Sequence, residues 1–354
     1  MSPYPYKALA FLAFLIALAG GTGVWVYRAH RPPKPIAAQP APVKPAVRAW
    51  PLAPIVVKPD PPAASAPPKG AAGDQDDHYQ LTPEQEARWP VKGPEPLPGA
   101  LLPEHLIVAY YGNPKSQKMG ILGQLPAEEM LPRLEAAATE WARAERGRKV
   151  LPALHMVVTV AQGKPGKSGM YRLRQPEELI EKVLSWAESR RWIVFLDVQI
   201  GGSSLAAELP RLVKYLERPY VHLALDPEYA MQPGGVPGRR VGTFDAAQVN
   251  DVVQLLSTIV DQQNITPKVL VVHRFTQGML TNYQQIKLDQ RVQLVMNMDG
   301  FGPPRIKEHA YKSYIALEPV QFTGFKLFYK KDHPMMPPES VLGLMPKPVY
   351  IQYQ

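Results

Sequence analysis

Two carboxylates one residue apart end an apolar run past the middle of the chain. Residues 221–231 read V-H-L-A-L-D-P-E-Y-A-M, with the acids at Asp226 and Glu228. Side chains two positions apart on a strand share a face, so both acids project to one side of the strand's carboxyl end. Parallel α/β folds place their sites at that end. Two acids held together push one pKa above the other, which suits general acid and base work. The plainer reading is a strand end whose acids bind water or a neighbouring arginine.

The elements that would position these acids follow from the hydrophobic pattern. Apolar runs cover residues 105–111, 151–160, 192–200, 220–226, 268–275, 292–299, 322–329 and 348–353. Amphipathic segments at 128–145, 176–190, 205–218 and 245–263 lie between them, the last capped at Asp245, with weaker ones at 283–290 and 305–317. Strands alternating with helices imply a parallel sheet with right-handed crossovers. This number of strands in about 250 residues is the arithmetic of a (β/α)8 TIM barrel, an α/β fold; an open doubly wound sheet is the alternative. The strand ends carry Tyr110, Tyr111 and Asn113, then Thr159 and Gln162 with His155 deeper, then Asp197 and Gln199. Later ends carry His273 and Arg274, Asn297 and Asp299, Lys326 and Tyr329, and Tyr350, Gln352 and Tyr353. Aromatic rings beside carboxylates suit sugars, whose apolar faces stack while their hydroxyls find polar partners.

Four strand ends resemble the chitinase-type (family eighteen) glycoside hydrolases. V-A-Y-Y-G-N at Val108–Asn113 is similar to their opening strand, and Q-I-G-G at Gln199–Gly202 to their S-x-G-G. D-P-E at Asp226–Glu228 matches the last half of their D-x-x-D-x-D-x-E, and M-N-M-D-G at Met296–Gly300 resembles their M-x-Y-D. The pieces occur in the family's order across most of residues 105–354. Barrel muramidases carry an acidic D-x-E on a comparable strand, which widens the resemblance to the TIM-barrel glycosidase superfamily. The resemblance implies that Glu228 is the general acid and that Asp226 orients a substrate N-acetyl group and stabilises its charge. Asp299 would contact the sugar or the amide, and Tyr110 and Tyr111 would shape the subsite. The substrate's own amide then replaces an enzyme nucleophile.

Asp197, Gln199, His273, Arg274, Tyr329, Tyr350 and Gln352 complete the expected substrate-binding set by their strand-end positions. Val221 and Ala224 stand where the family has its two earlier aspartates, and Met298 where it has a tyrosine. Tyr350 and Tyr353 occupy the eighth run in place of a tryptophan. Loss of a transition-state donor of the tyrosine's kind can cost ~10²–10³ in rate; Asp197, on the adjacent strand, is the candidate replacement acid. Two functions therefore stand side by side: hydrolysis of an N-acetylated polysaccharide or peptidoglycan, and glycan binding or scaffolding without cleavage.

A metal-dependent barrel hydrolase would instead gather His155, His273, Asp197, Glu228 and Asp299. No H-x-H or H-E-x-x-H spacing supports it, and no metal or other cofactor is expected. A-Q-G-K-P-G-K-S at Ala161–Ser168 satisfies a relaxed phosphate-loop pattern. The helical pattern begins only after Pro176, too late for a helix amino terminus to face a phosphate, so a basic loop over the barrel mouth is expected. Pro233–Arg240, P-G-G-V-P-G-R-R, reads as a lid or as a long connection.

The 354 residues include 41 prolines, crowded into the first third, and no cysteine. Disulfides, thiolate metal sites and a cysteine nucleophile are thereby excluded. The formal net charge is +9, but no helix carries a long basic stripe. This favours anionic envelope neighbours such as teichoic acid, phospholipid or acidic glycan over nucleic acid. Residues 8–27 are uncharged and long enough to span a bilayer, with Trp25 and Tyr27 at the far end. A signal anchor within residues 1–30 is expected, making the protein single-pass in the cell membrane. A cleaved signal peptide ending at Ala17-Leu18-Ala19 is the rival. Arg28, Arg31 and Lys34 argue for keeping the following side in the cytoplasm; the glycosidase resemblance argues for an extracytoplasmic barrel. Residues 31–100 form a Pro/Ala-rich linker of extended, uncollapsed character, and residues 101–354 form the barrel. No amphipathic segment follows the eighth run, so the pre-barrel segment either covers that gap or leaves it open.

Overall fold

Strands covered on both faces need apolar side chains at every position, not at alternate ones, and the eight apolar runs all form such strands. They are β1 (His105–Gly112), β2 (Lys149–Ala161), β3 (Ile193–Val198), β4 (Val221–Leu225), β5 (Lys268–Arg274), β6 (Val292–Met298), β7 (Phe322–Leu327) and β8 (Tyr350–Tyr353). Each pairs in parallel with the next. β1 pairs with β8 as well as with β2, Ile107 opposite both Tyr350 and Leu151. The sheet is therefore closed, an eight-stranded parallel barrel of the TIM type, and the open-sheet alternative falls. This computed structural model describes residues 46–57 and 80–354. The expected membrane span and much of the Pro/Ala-rich linker lie outside the described residues; among those described, no helix is long and apolar enough to cross a membrane.

The outer layer is built from α1 (Ala127–Ala144), α2 (Glu177–Glu188), α3 (Ala246–Gln263), α4 (Pro304–Tyr311) and shorter turns. Met130, Leu134, Ala138 and Trp141 of α1 recur at helical spacing and are buried. α3 begins at a capping box of Asp245 and Gln248 and ends at Asn264 in the left-handed region, a start and a stop that fix its length. Pro210 has no amide hydrogen to continue a helix. The expected helix at 205–218 is consequently split into Leu205–Glu208, a turn at Pro210–Leu212 and Val213–Leu216. The expected helix at 283–290 is only the turn Tyr283–Gln285. α4 runs on as a π-helical turn, Lys312–Ala316. Between β7 and β8 the short helix Pro338–Leu342 packs against α1, and Trp141 donates to the Tyr353 hydroxyl at 2.9 Å.

The described parts of the Pro/Ala-rich stretch pack against the barrel floor, at the amino ends of the strands. Ile55 bridges Val150 in antiparallel fashion, Arg48 bridges Ile265, and the Trp50 ring lies 4.3 Å from that of Tyr220. Just after that stretch the chain meets Gln293, which is buried. Its Oε1 accepts from the amides of Leu101 and Leu102 at 2.8 and 3.0 Å, and its Nε2 donates to the Leu102 carbonyl at 2.6 Å. One barrel side chain thus satisfies three backbone groups of the entering chain. Gln293→Leu keeps the volume and strands those groups, so urea unfolding followed by circular dichroism should show a loss of about 3 kcal/mol.

Candidate active site

Inside the barrel's upper half the packing becomes polar. Tyr111, His155, Asp197, Gln199, His273, Asn297, Lys326, Tyr350 and Gln352 are all buried and come from seven strands or their ends. Gln352 Nε2 lies 3.0 Å and the Tyr350 hydroxyl 2.6 Å from His155 Nδ1, while Gln352 Nε2 also donates to that hydroxyl at 3.1 Å. Both partners present hydrogens, so Nδ1 accepts and Nε2–H donates to Asp197 Oδ2 at 3.1 Å. His155 is accordingly neutral, its pKa lowered to about 4 chiefly by burial. Gly324 leaves the room this layer needs: a Cβ there would sit 2.6 Å from the Asn297 side-chain oxygen.

His273 lies between two carboxylates. Its Nε2 is 3.3 Å from Asp197 Oδ2 and its Nδ1 is 3.1 Å from Asp299 Oδ2. Lys326 Nζ is 2.8 Å from Asp299 Oδ1 and sits 3.8 Å from the centre of the Tyr111 ring. Burial alone would lower the His273 pKa, but Asp299 and Asp197 outweigh it and raise it to about 10. Burial likewise works against ionising both acids. His273 and His155 nonetheless hold Asp197 well below the usual carboxylate range, and Lys326 and His273 lower Asp299. The result is a buried chain of alternating charge, Asp197, His273, Asp299 and Lys326.

Asp226 and Glu228 have no such cation. Asp226 accepts from Gln199 Nε2 at 3.0 Å and from the Glu228 amide at 3.2 Å, and Gln199 Nε2 also donates to the Tyr111 hydroxyl at 3.1 Å. Burial pushes the Asp226 pKa well up against the pull of His273, and the charges of Asp197, Glu228 and Asp299 push the same way. Burial and Asp299 raise Glu228, opposed by Lys326 and by a hydrogen bond with Tyr229. Both acids, with Asp299, Lys326, Tyr111 and Tyr229, line a pocket of about 380 Å³ at the barrel mouth, walled by Phe275, Phe301 and Phe328.

No family model, curated protein or solved structure matches this chain.

Of the residues singled out from the sequence, Asp226, Glu228, Asp299 and Tyr111 line the pocket, with Asp197, Gln199, His273, Tyr350 and Gln352 buried in the network of contacts around and beneath it. Three others lie elsewhere. Tyr110 points to the outer layer, its hydroxyl donating to the Arg133 carbonyl and 3.0 Å from the Tyr329 hydroxyl. Tyr329 stacks on Tyr353 beneath the Arg133 guanidinium. Arg274 pairs with Glu318 at 2.5 Å and donates to the Tyr314 and Gln277 carbonyls. Neighbours along a strand face opposite ways, so Tyr111 and His273 turn inward and Tyr110 and Arg274 outward. Ala224 stands in register with Asp197, so an acid does lie beside the position the family resemblance left empty.

Sequence reasoning places Lys326 at a strand end without assigning it to the site, and leaves out Tyr229 and the phenylalanine walls. Lys326 lies two residues from Gly324 on the inward face, and that alternation was the available signal. A further buried pair fixes the walls. Lys307 Nζ is 2.9 Å from Asp332 and donates to the Gly300 and Lys326 carbonyls, while Asp332 accepts from the Gly302 and Phe328 amides. The loop carrying Phe301 is thereby tied to the end of β7. The basic loop at Ala161–Ser168 runs into a short strand, Arg172–Arg174, antiparallel to β2, and α2 begins only at Glu177. Gly201 (φ +60°) bridges Ala230, and its missing Cβ admits the Met170 and Tyr171 carbonyls, so the loops after β2, β3 and β4 meet there.

His155, Asp197 and His273 each offer one ligand atom within 4.8 Å of the others, the set best placed to hold a metal among the described residues. Binding one would require His155 to reverse its tautomer, since it directs Nε2–H at Asp197, and His273 to lose the proton it holds between Asp197 and Asp299. The present arrangement is an ion chain. His273→Gln leaves Asp197 and Asp299 short of a counter-charge and should cost about 3–5 kcal/mol at neutral pH. The imidazolium's contribution is complete below pH 6.5 and lost as pH rises through about 10. Chemical denaturation across pH should show the wild-type advantage narrowing over that window.

Proposed function

We propose that the pocket is a glycoside-hydrolase-like site for an N-acetylated glycan. The observation that carries this reading is the sharing of one aromatic-walled pocket by Asp226, Glu228 and Asp299, with Glu228 raised toward its protonated form. Glu228 donates its proton to the glycosidic oxygen as the bond from that oxygen to the anomeric carbon breaks. The substrate's acetamido oxygen closes on the anomeric carbon, which needs no protein nucleophile. Asp226, fixed by Gln199 and by the Glu228 amide, orients the acetamido group. Water then opens the cyclic intermediate, and Glu228, now ionised, takes its proton. Lys326 lies where a cation can hold a sugar or amide oxygen, and Phe275, Phe301 and Phe328 give the ring an apolar surface.

The engagement of Asp299 by both Lys326 and His273 favours a second reading, glycan binding without cleavage. An anchored, extracytoplasmic placement at the cell envelope belongs to the same proposal and would be tested by protease accessibility in intact cells.

Glu228→Gln should lower kcat/KM by about 10²–10⁴, measured as new reducing ends from N-acetylglucosamine oligosaccharides. Wild-type activity should fall as pH rises through the elevated pKa of Glu228, because only the protonated acid donates. Cleavage unaffected by the substitution would end the catalytic reading. Saturable binding by the wild type with no new reducing ends would put the binding reading in its place.

A further inference from the structure

Cations sit on the loops at both ends of the barrel, and at the floor several of them are paired with acids. Leading into β2, β6 and β8, Arg148 and Lys347 pair with Glu145, and Arg291 pairs with Asp289. At the mouth, Lys115 and Lys118 follow β1, and Lys164 and Lys167 follow β2. Arg239 and Arg240 lie on the connection after β4, and Lys330 and Lys331 follow β7. All of these are exposed, and none forms an ion pair with a described carboxylate. The acids in those four loops are Asp226 and Glu228, which line the pocket, Asp332, which is buried against Lys307, and Asp245, which caps α3. Acids reappear in the first turns of the surrounding helices, at Glu128 and Glu129 of α1 and at Glu177 and Glu178 of α2.

We propose that the mouth takes an anionic N-acetylated glycan, with neutral rings seated in the acid-lined pocket and the charged groups of flanking sugars held by the ring of loop cations. The proposal rests on the reading of the pocket as a glycan site and names the substrate's charge. Unpaired cations of one sign repel one another and raise the local concentration of a polyanion. The acids at the centre decide which polyanion. A nucleic acid carries charge along its whole backbone and would lay phosphates over Asp299 and Glu228. A glycan with one carboxylate per disaccharide presents an uncharged ring between charges, matching a pocket of carboxyl groups and phenylalanines within a cationic rim.

The test uses the full-length chain and three probes: peptide-free peptidoglycan strands, N-acetylglucosamine oligosaccharides of equal length, and a single-stranded oligonucleotide. The carboxylated strands should bind at least about tenfold more tightly than the neutral oligosaccharide at low salt, a preference that fades as salt screens the rim. The combined variant Lys164→Gln, Lys167→Gln, Arg239→Gln and Arg240→Gln should lose that preference and keep its affinity for the neutral oligosaccharide, with an unchanged thermal melt. Equal binding of charged and neutral glycans would overturn the inference and leave the pocket reading standing. Tighter binding of the oligonucleotide than of either glycan would overturn it in favour of nucleic acid. Binding of no glycan at all would overturn both.

Discussion

A charged imidazole held inside an apolar barrel is the constraint on which the rest of the site depends. Removing an ion from water costs several kcal/mol even after relaxation, so His273 is tolerable only between Asp197 and Asp299. Each of those acids then needs a further partner. Asp197 receives the neutral His155, whose tautomer is dictated by Tyr350 and Gln352, and Asp299 receives Lys326. The charges alternate, and every member is buried. Such a chain couples its members, because removing one leaves two others with less compensation than the interior requires.

The same chain divides the carboxyl groups at the mouth into two kinds. Asp197 and Asp299 sit in ion pairs that lower their pKa values; among the described residues Asp226 and Glu228 form no ion pair and are pushed toward the protonated form. Acid and base roles at one pH arise from this kind of separation between neighbouring titratable groups. The buried Lys307–Asp332 pair serves the walls, joining the Phe301 loop to the end of β7. Around this interior the exposed loops carry cations. The site is therefore acidic at its centre and basic at its rim, an arrangement suited to a ligand whose charges are spaced apart.

Much of the framework was legible in the residues. The apolar runs lie on the barrel strands, Asp245 caps α3 as its position before an amphipathic segment implies, and the strand ends collect the polar groups. The D-P-E stretch lies where the end of a fourth strand should be, and its two acids share a pocket with Asp299. What was not legible has a definite cause. A strand buried on both faces carries no alternation of apolar and polar residues, so Y-Y in β1 and H-R in β5 do not reveal which member turns inward. Strand-end position groups Arg274 with the site and the family resemblance adds Tyr110, and the structure turns both outward. The helix expected at 205–218 overlooked the break at Pro210, and the long pre-barrel stretch read as spacer although Trp50, Leu52, Ile55 and Val57 pack on the core.

The sequence by itself determined the strand number, the order of strands and helices, and the end of the barrel at which chemistry-bearing side chains gather. Those features depend on local period and on the common polarity of parallel strands. Only the tertiary structure decided which of those side chains meet. Closure of β1 onto β8 brings His155, Asp197, His273 and Gln352, from four different strands, within hydrogen-bonding range. The charge state of each acid follows from that meeting, because burial and the nearest counter-ion, neither of them a local property of the chain, set whether a carboxyl group keeps its proton.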